Sequence, residues 1–305
     1  MKKAMLFIGN GFDRALGYAT GYDNFYQNSS QLKKYASTGN KLCNHILKNF
    51  NGVLWSDLEN GLYQYSLNLT KQFGEGNKTI ADKFQKEFQE LRNALFHYLT
   101  QESGNPVPAA NSVSGLLQEW KRVDLQCLSF NYTSLILTYL NGNSQRYCLN
   151  QNDSINTDYM IYCHGSLYDT QKGNNTSDDI ILGIDDSQKV EQLHDFLYKS
   201  HQKVIYNNYD LVQNIKAKDI FIIYGCSMGD SDKFYFEQIF NANFENKQYL
   251  IYGFGGQSIS SLQSIIHNFV GNLNEFKSKN KFDFIDCKDP QIHQKTKYII
   301  DVILQ

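Results

Sequence analysis

The chain has 305 residues, with 29 basic and 31 acidic side chains and a formal net charge of -2 at pH 7. This balance gives no overall positive field, which argues against a protein that binds nucleic acid or anionic lipid through excess basic charge. A chain of this length can bury a substantial core. We expect one α/β domain over residues 1–305, with an all-helical insertion at about 20–120.

The sequence lacks the patterns typical of secreted, membrane-spanning and zinc-binding proteins. The opening apolar run stops at Ile8, short of a signal peptide, and no apolar run reaches membrane-spanning length. The six cysteines include no Cys-x-x-Cys pair, which argues against structural zinc and a disulfide framework. We therefore expect a cytoplasmic protein with no membrane association and no metal, and nucleic acid is not an expected partner.

The first predicted element is a short apolar strand, residues 5–8, that leads directly into Gly9-Asn10-Gly11-Phe12-Asp13. Glycine lets the backbone turn sharply and approach a phosphate without a Cβ atom in the way, as in the first turn of doubly wound α/β domains. The third glycine of the dinucleotide fingerprint is absent, because Arg14 stands at its position. The stretch therefore predicts a nucleotide-binding turn, with an ordinary tight turn as the alternative.

The rest of the chain divides into a helical part and a strand–helix alternation. Apolar residues recur at three- and four-residue steps from 20 to about 100, which predicts several helices, and a short helix is predicted at 113–120. Further strands are predicted at 125–130, 160–163, 180–182, 220–224, 249–251 and 282–285, and further helices at 135–140, 234–244, 259–269 and the C-terminus. This alternation predicts a Rossmann-like parallel sheet with helices on both faces.

Polar or glycine-containing groups follow five of these predicted strands. Ligands of open parallel sheets bind beyond the carboxyl ends of the strands, so we expect these groups to form one site. They are Gly9-Asn10-Gly11-Phe12-Asp13, Asn131, His164-Gly165, Gly183, and Gly225 and Ser227 with Asp230 and Asp232.

Each candidate side chain has a functional and a structural interpretation. His164 ends an apolar run before a glycine, where an imidazole suits a general base or simply caps the strand. Asn131 could cap the helix that follows it, or its amide could bind ribose hydroxyls or an attacking water. Asp13 could be a carboxylate satisfied by a helix dipole or a ribose ligand.

Gly225-Cys226-Ser227-Met228-Gly229 has the Gly-x-Ser-x-Gly spacing of a hydrolase nucleophile elbow. A Ser-dependent hydrolase is therefore an alternative, and its histidine would have to be His267 or His293. The other use of Ser227 is a hydrogen bond to a phosphate, assisted by the N-terminus of the next helix.

Taken together, these motifs resemble the AbiH family of bacterial phage abortive-infection proteins. The matching segments are Ile8 to Asp13, Thr20 with Tyr22 and Phe25, Trp55-Ser56-Asp57-Leu58-Glu59, Ser129-Phe130-Asn131-Tyr132-Thr133, His164-Gly165, Gly183, and Gly225-x-Ser227-Met228-Gly229-x-x-Asp232 with Tyr235-Phe236. That family is similar in layout to sirtuin-like domains, which bind NAD. The resemblance implies that Gly9, Gly11 and Ser227 hold phosphates, that Asn131 binds the nicotinamide ribose and positions water, and that His164 is the base. Asn10, Phe12, Asp13, Gly183, Gly225 and Asp232 complete the predicted NAD-binding set.

The departures from sirtuins shape the expected activity. The zinc cysteines are missing, and Phe12-Asp13 stands where sirtuins have a small residue and a serine. Protein deacetylation is therefore not implied, and the resemblance points to an anti-phage effector that hydrolyses NAD, its substrate, at the nicotinamide–ribose bond. The alternative from another class is a non-catalytic module that senses a nucleotide or a phage protein. A phage-encoded trigger, a partner defence protein and a second copy of the chain are further candidate partners.

Overall fold

The computed structural model describes residues 2–49, 55–105, 112–136, 160–167, 176–202, 208–229, 232–241 and 243–305. The chain divides into two compact units. The first comprises Met1–Gly17, Val107–Cys163 and Tyr206–Gln305, and the second comprises Tyr18–Pro106 and His164–Ile205. The single domain with an insertion at 20–120 stays a prediction. None of the helices in the described ranges combines the length and the apolar character that crossing a bilayer requires.

The first unit contains a six-stranded, all-parallel sheet, as predicted. Its strands are β1 (Lys3–Ile8), β2 (Asp124–Ser129), β3 (Met160–Tyr162), β4 (Ile220–Tyr224), β5 (Gln248–Gly253) and β6 (Lys281–Asp286). They lie in the order β3-β2-β1-β4-β5-β6. The direction of winding reverses between β1 and β4, which is the arrangement of doubly wound sheets that bind dinucleotides at this reversal.

The register makes the three central strands end at the same level. Ile8 at the end of β1 pairs with both Ser129 of β2 and Tyr224 of β4. The strands β1 and β4 are apolar and buried on both faces, as parallel strands covered by helices must be. The segments that begin at Gly9, Phe130 and Gly225 therefore leave the sheet side by side.

Helices cover both faces of this sheet, which confirms the predicted fold class. In chain order the helices of the described ranges are α1 (Gly11–Ala15), α2 (Tyr22–Asn28), α3 (Ser30–Ser37), α4 (Lys41–Asn49), α5 (Trp55–Phe73), α6 (Lys78–Ser103), α7 (Ser112–Trp120), α8 (Asn208–Lys216), α9 (Lys233–Ile239), α10 (Gly256–Val270), α11 (Leu273–Lys279) and α12 (Ile292–Leu304). On one face, Phe221, Ile223 and Tyr249 share a core with residues of α8 to α11. On the other face, Tyr252 contacts Trp120 of α7 and Thr296 of α12.

Helices make up most of the second unit, as expected from the periodicity of residues 20–100. They are α2 to α6. The second segment of the unit adds 3-10 helices at Ser177–Asp179, Gln192–Leu197 and Lys199–His201. The buried carboxylate of Glu87 accepts hydrogen bonds from Tyr65 and from the backbone N–H of Lys41, which ties α4 and α5 to α6.

Two element predictions were wrong, and one lies outside the described residues. Residues 180–182 form no strand: Ile180 makes a single antiparallel bridge to Gly165, and the side chain of Gln202 bonds both the N–H and the carbonyl of Leu182. A side chain thus takes the place of a neighbouring strand. The helix expected at 234–244 ends at Ile239. Most of the helix expected at 135–140 lies outside the described residues, as does Asp230.

Candidate functional site

The turn after β1 is built against the segment after β4. The N–H groups of Gly9 and Gly11 donate to the carbonyls of Tyr224 and Gly225, both at 3.0 Å. A Cβ atom on Gly9 would lie 2.4 Å from the Gly225 carbonyl oxygen, and one on Gly225 would lie 2.5 Å from the Phe12 nitrogen. Gly225 also has a φ of +69°, which favours glycine. These three glycines are therefore required by the contact between the two loops, a role that sequence reasoning missed.

The backbone N–H groups of this turn are largely used within the protein. Those of Gly9, Gly11, Phe12 and Arg14 all donate to backbone carbonyls at 2.9 to 3.1 Å. Phosphate cradles work through N–H groups that have no other acceptor. Phosphate binding by Gly9 and Gly11 stays a prediction, and it receives no support from these four N–H groups.

A buried polar cluster lies beside the turn, formed by Asp13, Asn131 and Thr133. Asn131 Nδ2 donates to the Gly9 carbonyl at 3.1 Å and to Asp13 Oδ1 at 2.9 Å. Thr133 Oγ1 donates to Asp13 Oδ2 at 2.6 Å. The three side chains are between 1% and 3% exposed. Because hydrogen bonds strengthen in such a low-dielectric environment, the cluster holds its members in one arrangement.

The carbonyl oxygen of the Asn131 side chain is the exceptional atom of this cluster. It is shielded from solvent and, within the described part of the chain, accepts no hydrogen bond. Rotating the amide by 180° would place this oxygen against two acceptors, the Gly9 carbonyl and Asp13 Oδ1, so the orientation is determined. An N-cap would accept a backbone N–H through this oxygen, so Asn131 does not act as a helix cap.

The other predicted residues of the turn have structural contacts. Asp13 lies in the first turn of α1, and its two carboxylate oxygens accept hydrogen bonds from Asn131 and Thr133. Phe12 is fully buried, and its ring packs edge-on against Tyr224 with centroids 6.0 Å apart. Asn10 stands at the N-cap of the five-residue helix α1, where its side chain makes no capping bond. Contacts of these residues with NAD stay predictions.

Ser227 lies further along the segment that follows β4, and its geometry argues against a nucleophile elbow. An elbow places a strained nucleophile on a tight turn between strand and helix. Here the left-handed residues are Gly225 and Met228, Ser227 is exposed, and helix α9 begins only at Lys233. In the described ranges the Ser227 hydroxyl bonds no histidine. One candidate triad histidine, His293, lies 3.2 Å from Glu119 instead.

Cys226 and Asp232 flank Ser227 in the same segment. Burial, the Asp232 carboxylate and Cys163 together hold the pKa of the Cys226 thiol well above its usual value. Since the thiolate is the reactive form, this raised pKa argues against Cys226 as a nucleophile. Asp232 is the N-cap residue of α9 but makes no side-chain capping bond.

His164 and Gly183 belong to the second unit. His164 is buried, and its carbonyl accepts the N–H of Ile181 at 2.7 Å. Its role as a base stays a prediction. Gly183 does not follow a strand, since residues 180–182 form none, so that part of its assignment was wrong. A Cβ atom on Gly183 would lie 2.1 Å from the Leu197 carbonyl oxygen, so close backbone packing explains this glycine.

Sequence reasoning missed two members of the first unit's site. Thr133 anchors Asp13, and Ser129 Oγ accepts the backbone N–H of Asn131 at 3.1 Å. The available signal was the spacing of Ser129, Asn131 and Thr133, three polar residues at alternate positions after an apolar strand. Across the described residues, no group of three His, Cys, Asp or Glu side chains is arranged to hold a metal ion.

The second unit contains a serine, a histidine and a glutamate in contact. Ser66 Oγ lies 2.8 Å from His194 Nδ1, and Glu191 Oε2 lies 3.7 Å from His194 Nε2. The composition is that of a hydrolase triad, but Ser66 is 0% and His194 1% exposed, and their hydrogen bond lies within the core of the unit. This group joins α5 to the 3-10 helix Gln192–Leu197 and has a structural role.

Burial lowers the pKa of His194, although Glu191 opposes the shift, and burial also lowers the pKa of His45. A folded-state pKa below the unfolded value of about 6.5 means that the unfolded chain binds more protons, so stability falls as pH drops below about 6.5. We expect His194→Gln to reduce this loss between pH 7.5 and 5, measured from urea midpoints. His97→Gln, at an exposed site in the same unit, is the control. Equal pH slopes for both variants would contradict the assignment.

Comparison with models of protein families gives a match, and a search among curated proteins gives none. The family model described as "Bacteriophage abortive infection AbiH" matches residues 5–252, a range that contains the glycine turn, the Asn131 cluster and the segment after β4. Since the match covers well over half of the chain, the protein belongs to the AbiH family of bacteriophage abortive-infection proteins.

Proposed function

We propose that this abortive-infection protein hydrolyses NAD, or a closely related nucleotide, at the bond between nicotinamide and ribose. The observation that carries the proposal is the buried Asp13–Asn131–Thr133 cluster at the reversal of strand order between β1 and β4. Doubly wound sheets bind nucleotides at this place. Burying polar side chains is energetically unfavourable, and apolar side chains would fill the same space. A buried polar cluster at this position therefore favours a binding site over a purely structural role.

The reaction makes modest demands on the protein. Water attacks C1′ of the ribose while the C1′–N bond breaks, its electron pair goes to nicotinamide, and the water proton passes to a base. Nicotinamide leaves as a neutral molecule, so the site has mainly to orient the water and the ribose and to stabilise an oxocarbenium-like centre. Asn131 supplies a buried acceptor for this task, and His164, two residues after β3, is the proposed base.

The family supports the biological side of the proposal. Abortive infection requires an effector that stops an infected cell from producing phage, and loss of NAD halts the metabolism on which replication depends. The strand order supports the nucleotide side, because it matches the dinucleotide-binding arrangement.

The test is incubation of the purified full chain with NAD, followed by chromatography for nicotinamide and ADP-ribose. We expect both products in equal amounts, and a loss of at least about 100-fold in rate for Asn131→Ala and for His164→Ala. His97→Ala, at an exposed histidine, is the matched control and should retain the wild-type rate. Product formation that survives both substitutions would refute the assigned roles. Intact NAD retained on the protein without turnover would support the sensing module instead.

A further inference from the structure

We propose that Asp13 and Thr133 are positioning residues that hold the Asn131 amide in one orientation, so that the site selects a ligand group that donates a hydrogen bond. This inference deepens the proposed function and rests on it for the identity of the ligand. The chemical class is a sugar hydroxyl, and a phosphate or carboxylate oxygen is excluded at this position.

The amide of Asn131 is held in one orientation by the acceptors around its nitrogen. Both hydrogens of Asn131 Nδ2 are used, one on the Gly9 carbonyl at 3.1 Å and one on Asp13 Oδ1 at 2.9 Å. The carbonyl oxygen is thereby the end of the amide that no described residue bonds. Since a carboxylate only accepts hydrogen bonds, Asp13 fixes which end of the amide is left for a ligand.

Asp13 is itself held in place by Thr133. Its Oδ2 accepts the Thr133 hydroxyl at 2.6 Å, a short bond of the kind that a charged acceptor makes. With one oxygen on Asn131 and the other on Thr133, the carboxylate cannot rotate without breaking a buried bond. Asp13 therefore acts through Asn131, whose amide it holds in place.

The side-chain oxygen of Asn131 can bind only a group that donates a hydrogen bond. Asn131 is 3% exposed, and its Oδ1 is shielded from solvent and, among the described residues, has no partner. A buried acceptor that receives no hydrogen bond is energetically unfavourable. A ligand that donates a hydroxyl hydrogen to this oxygen therefore gains the free energy of a buried hydrogen bond. A ligand oxygen without a hydrogen would face another acceptor and be repelled. The site therefore discriminates by hydroxyl groups.

The test measures binding rather than turnover. The full chain is titrated in a calorimeter with ADP-ribose and with two analogues that lack the 2′- or the 3′-hydroxyl of the terminal ribose. We expect the wild type to bind at least one deoxy analogue about tenfold more weakly than ADP-ribose. Thr133→Val should reduce this ratio toward one, and Thr133→Ser should restore it.

A matched control separates positioning from stability. Thr296→Val removes another buried hydroxyl, 0% exposed and bonded to Tyr252, in the same unit but outside the site. It should lower the urea midpoint as Thr133→Val does, yet keep the wild-type ratio. If Thr133→Val fails to fold, Asn131→Leu removes the acceptor directly and should also bring the ratio to one.

The outcomes separate the inference from the proposed function. Equal affinity of the wild type for all three probes, or no binding of any, overturns the inference. A ratio that persists in Thr133→Val and in Asn131→Leu overturns it as well. Hydroxyl discrimination without NAD hydrolysis supports the inference and refutes the proposed activity.

Discussion

Gly225→Ala is expected to destabilise the first unit by at least about 4 kcal/mol, one of the largest losses that a single methyl group can cause. The added Cβ would lie 2.5 Å from the Phe12 nitrogen and 2.7 Å from two backbone atoms of Gly11. All three are backbone atoms of the turn after β1, so no side chain can move aside. The left-handed φ of +69° adds strain for any residue with a Cβ. Thermal unfolding followed by circular dichroism should show a midpoint lowered by more than about 8 °C.

Gly256→Ala is the control for this substitution. Gly256 also follows a strand of the same sheet, but nothing lies within 4 Å of its Cβ position and it opens helix α10. Alanine there should be neutral or stabilising by up to about 1 kcal/mol. A midpoint for Gly225→Ala close to that of Gly256→Ala would show that the two loops do not pack as described.

Trp120→Ala is expected to cost about 3 to 5 kcal/mol. Trp120 is 0% exposed and contacts the rings of Tyr224 and Tyr252 edge-on, with centroids 5.6 and 5.4 Å away. Its Nε1 donates to the Tyr252 hydroxyl at 3.1 Å. Removing the indole leaves a cavity between α7 and the strands β4 and β5, and it also removes a buried donor. Urea unfolding of the full chain measures the loss.

Two further variants divide this effect into its parts. Trp120→Phe keeps an aromatic ring but loses the hydrogen bond, so it should cost about 1 to 3 kcal/mol. Tyr298→Ala removes a ring that is 70% exposed and should change stability by less than about 0.5 kcal/mol. A Trp120→Ala loss as small as that of Tyr298→Ala would be incompatible with a buried indole.

The sheet could be predicted from the sequence because its physical cause is local. The residues of β1 and β4 are continuous apolar runs bounded by turn residues, which is how a strand covered on both faces must read. Residues 180–182 show the limit of this argument. Ile180 and Leu182 are fully buried, and burial explains why this run is apolar. The backbone of Leu182, however, is hydrogen-bonded by the side chain of Gln202, 20 residues away, and not by a neighbouring strand. Apolar character reports burial and does not say which group completes the backbone hydrogen bonds.

Some residues of the site could be predicted from the sequence, but the hydrogen bonds between them could not. Asn131 and Asp13 each stand after an apolar strand and were therefore candidates. Their mutual bond depends on the pairing of β1 with β2, two strands more than 100 residues apart in the sequence. The spacing of Thr133 from Ser129 and Asn131 was a signal in the sequence, but its partner, Asp13, is evident only once that pairing is known. For Gly9, Gly11 and Gly225 the opposite holds. The sequence shows that these positions are glycine, but it does not show that close contact between the two loops requires them.

The level ending of β1, β2 and β4 also limits how this protein can diverge. Ile8 is in register with Ser129 and Tyr224 at once, so Asn131 stands a fixed two residues beyond a shared boundary. Side chains alternate between the faces of a sheet, and deleting one residue from β2 would send Asn131 to the wrong side. Lineages that keep the Asp13–Asn131–Thr133 cluster must therefore conserve the length of this strand even where they exchange nearly every side chain in it.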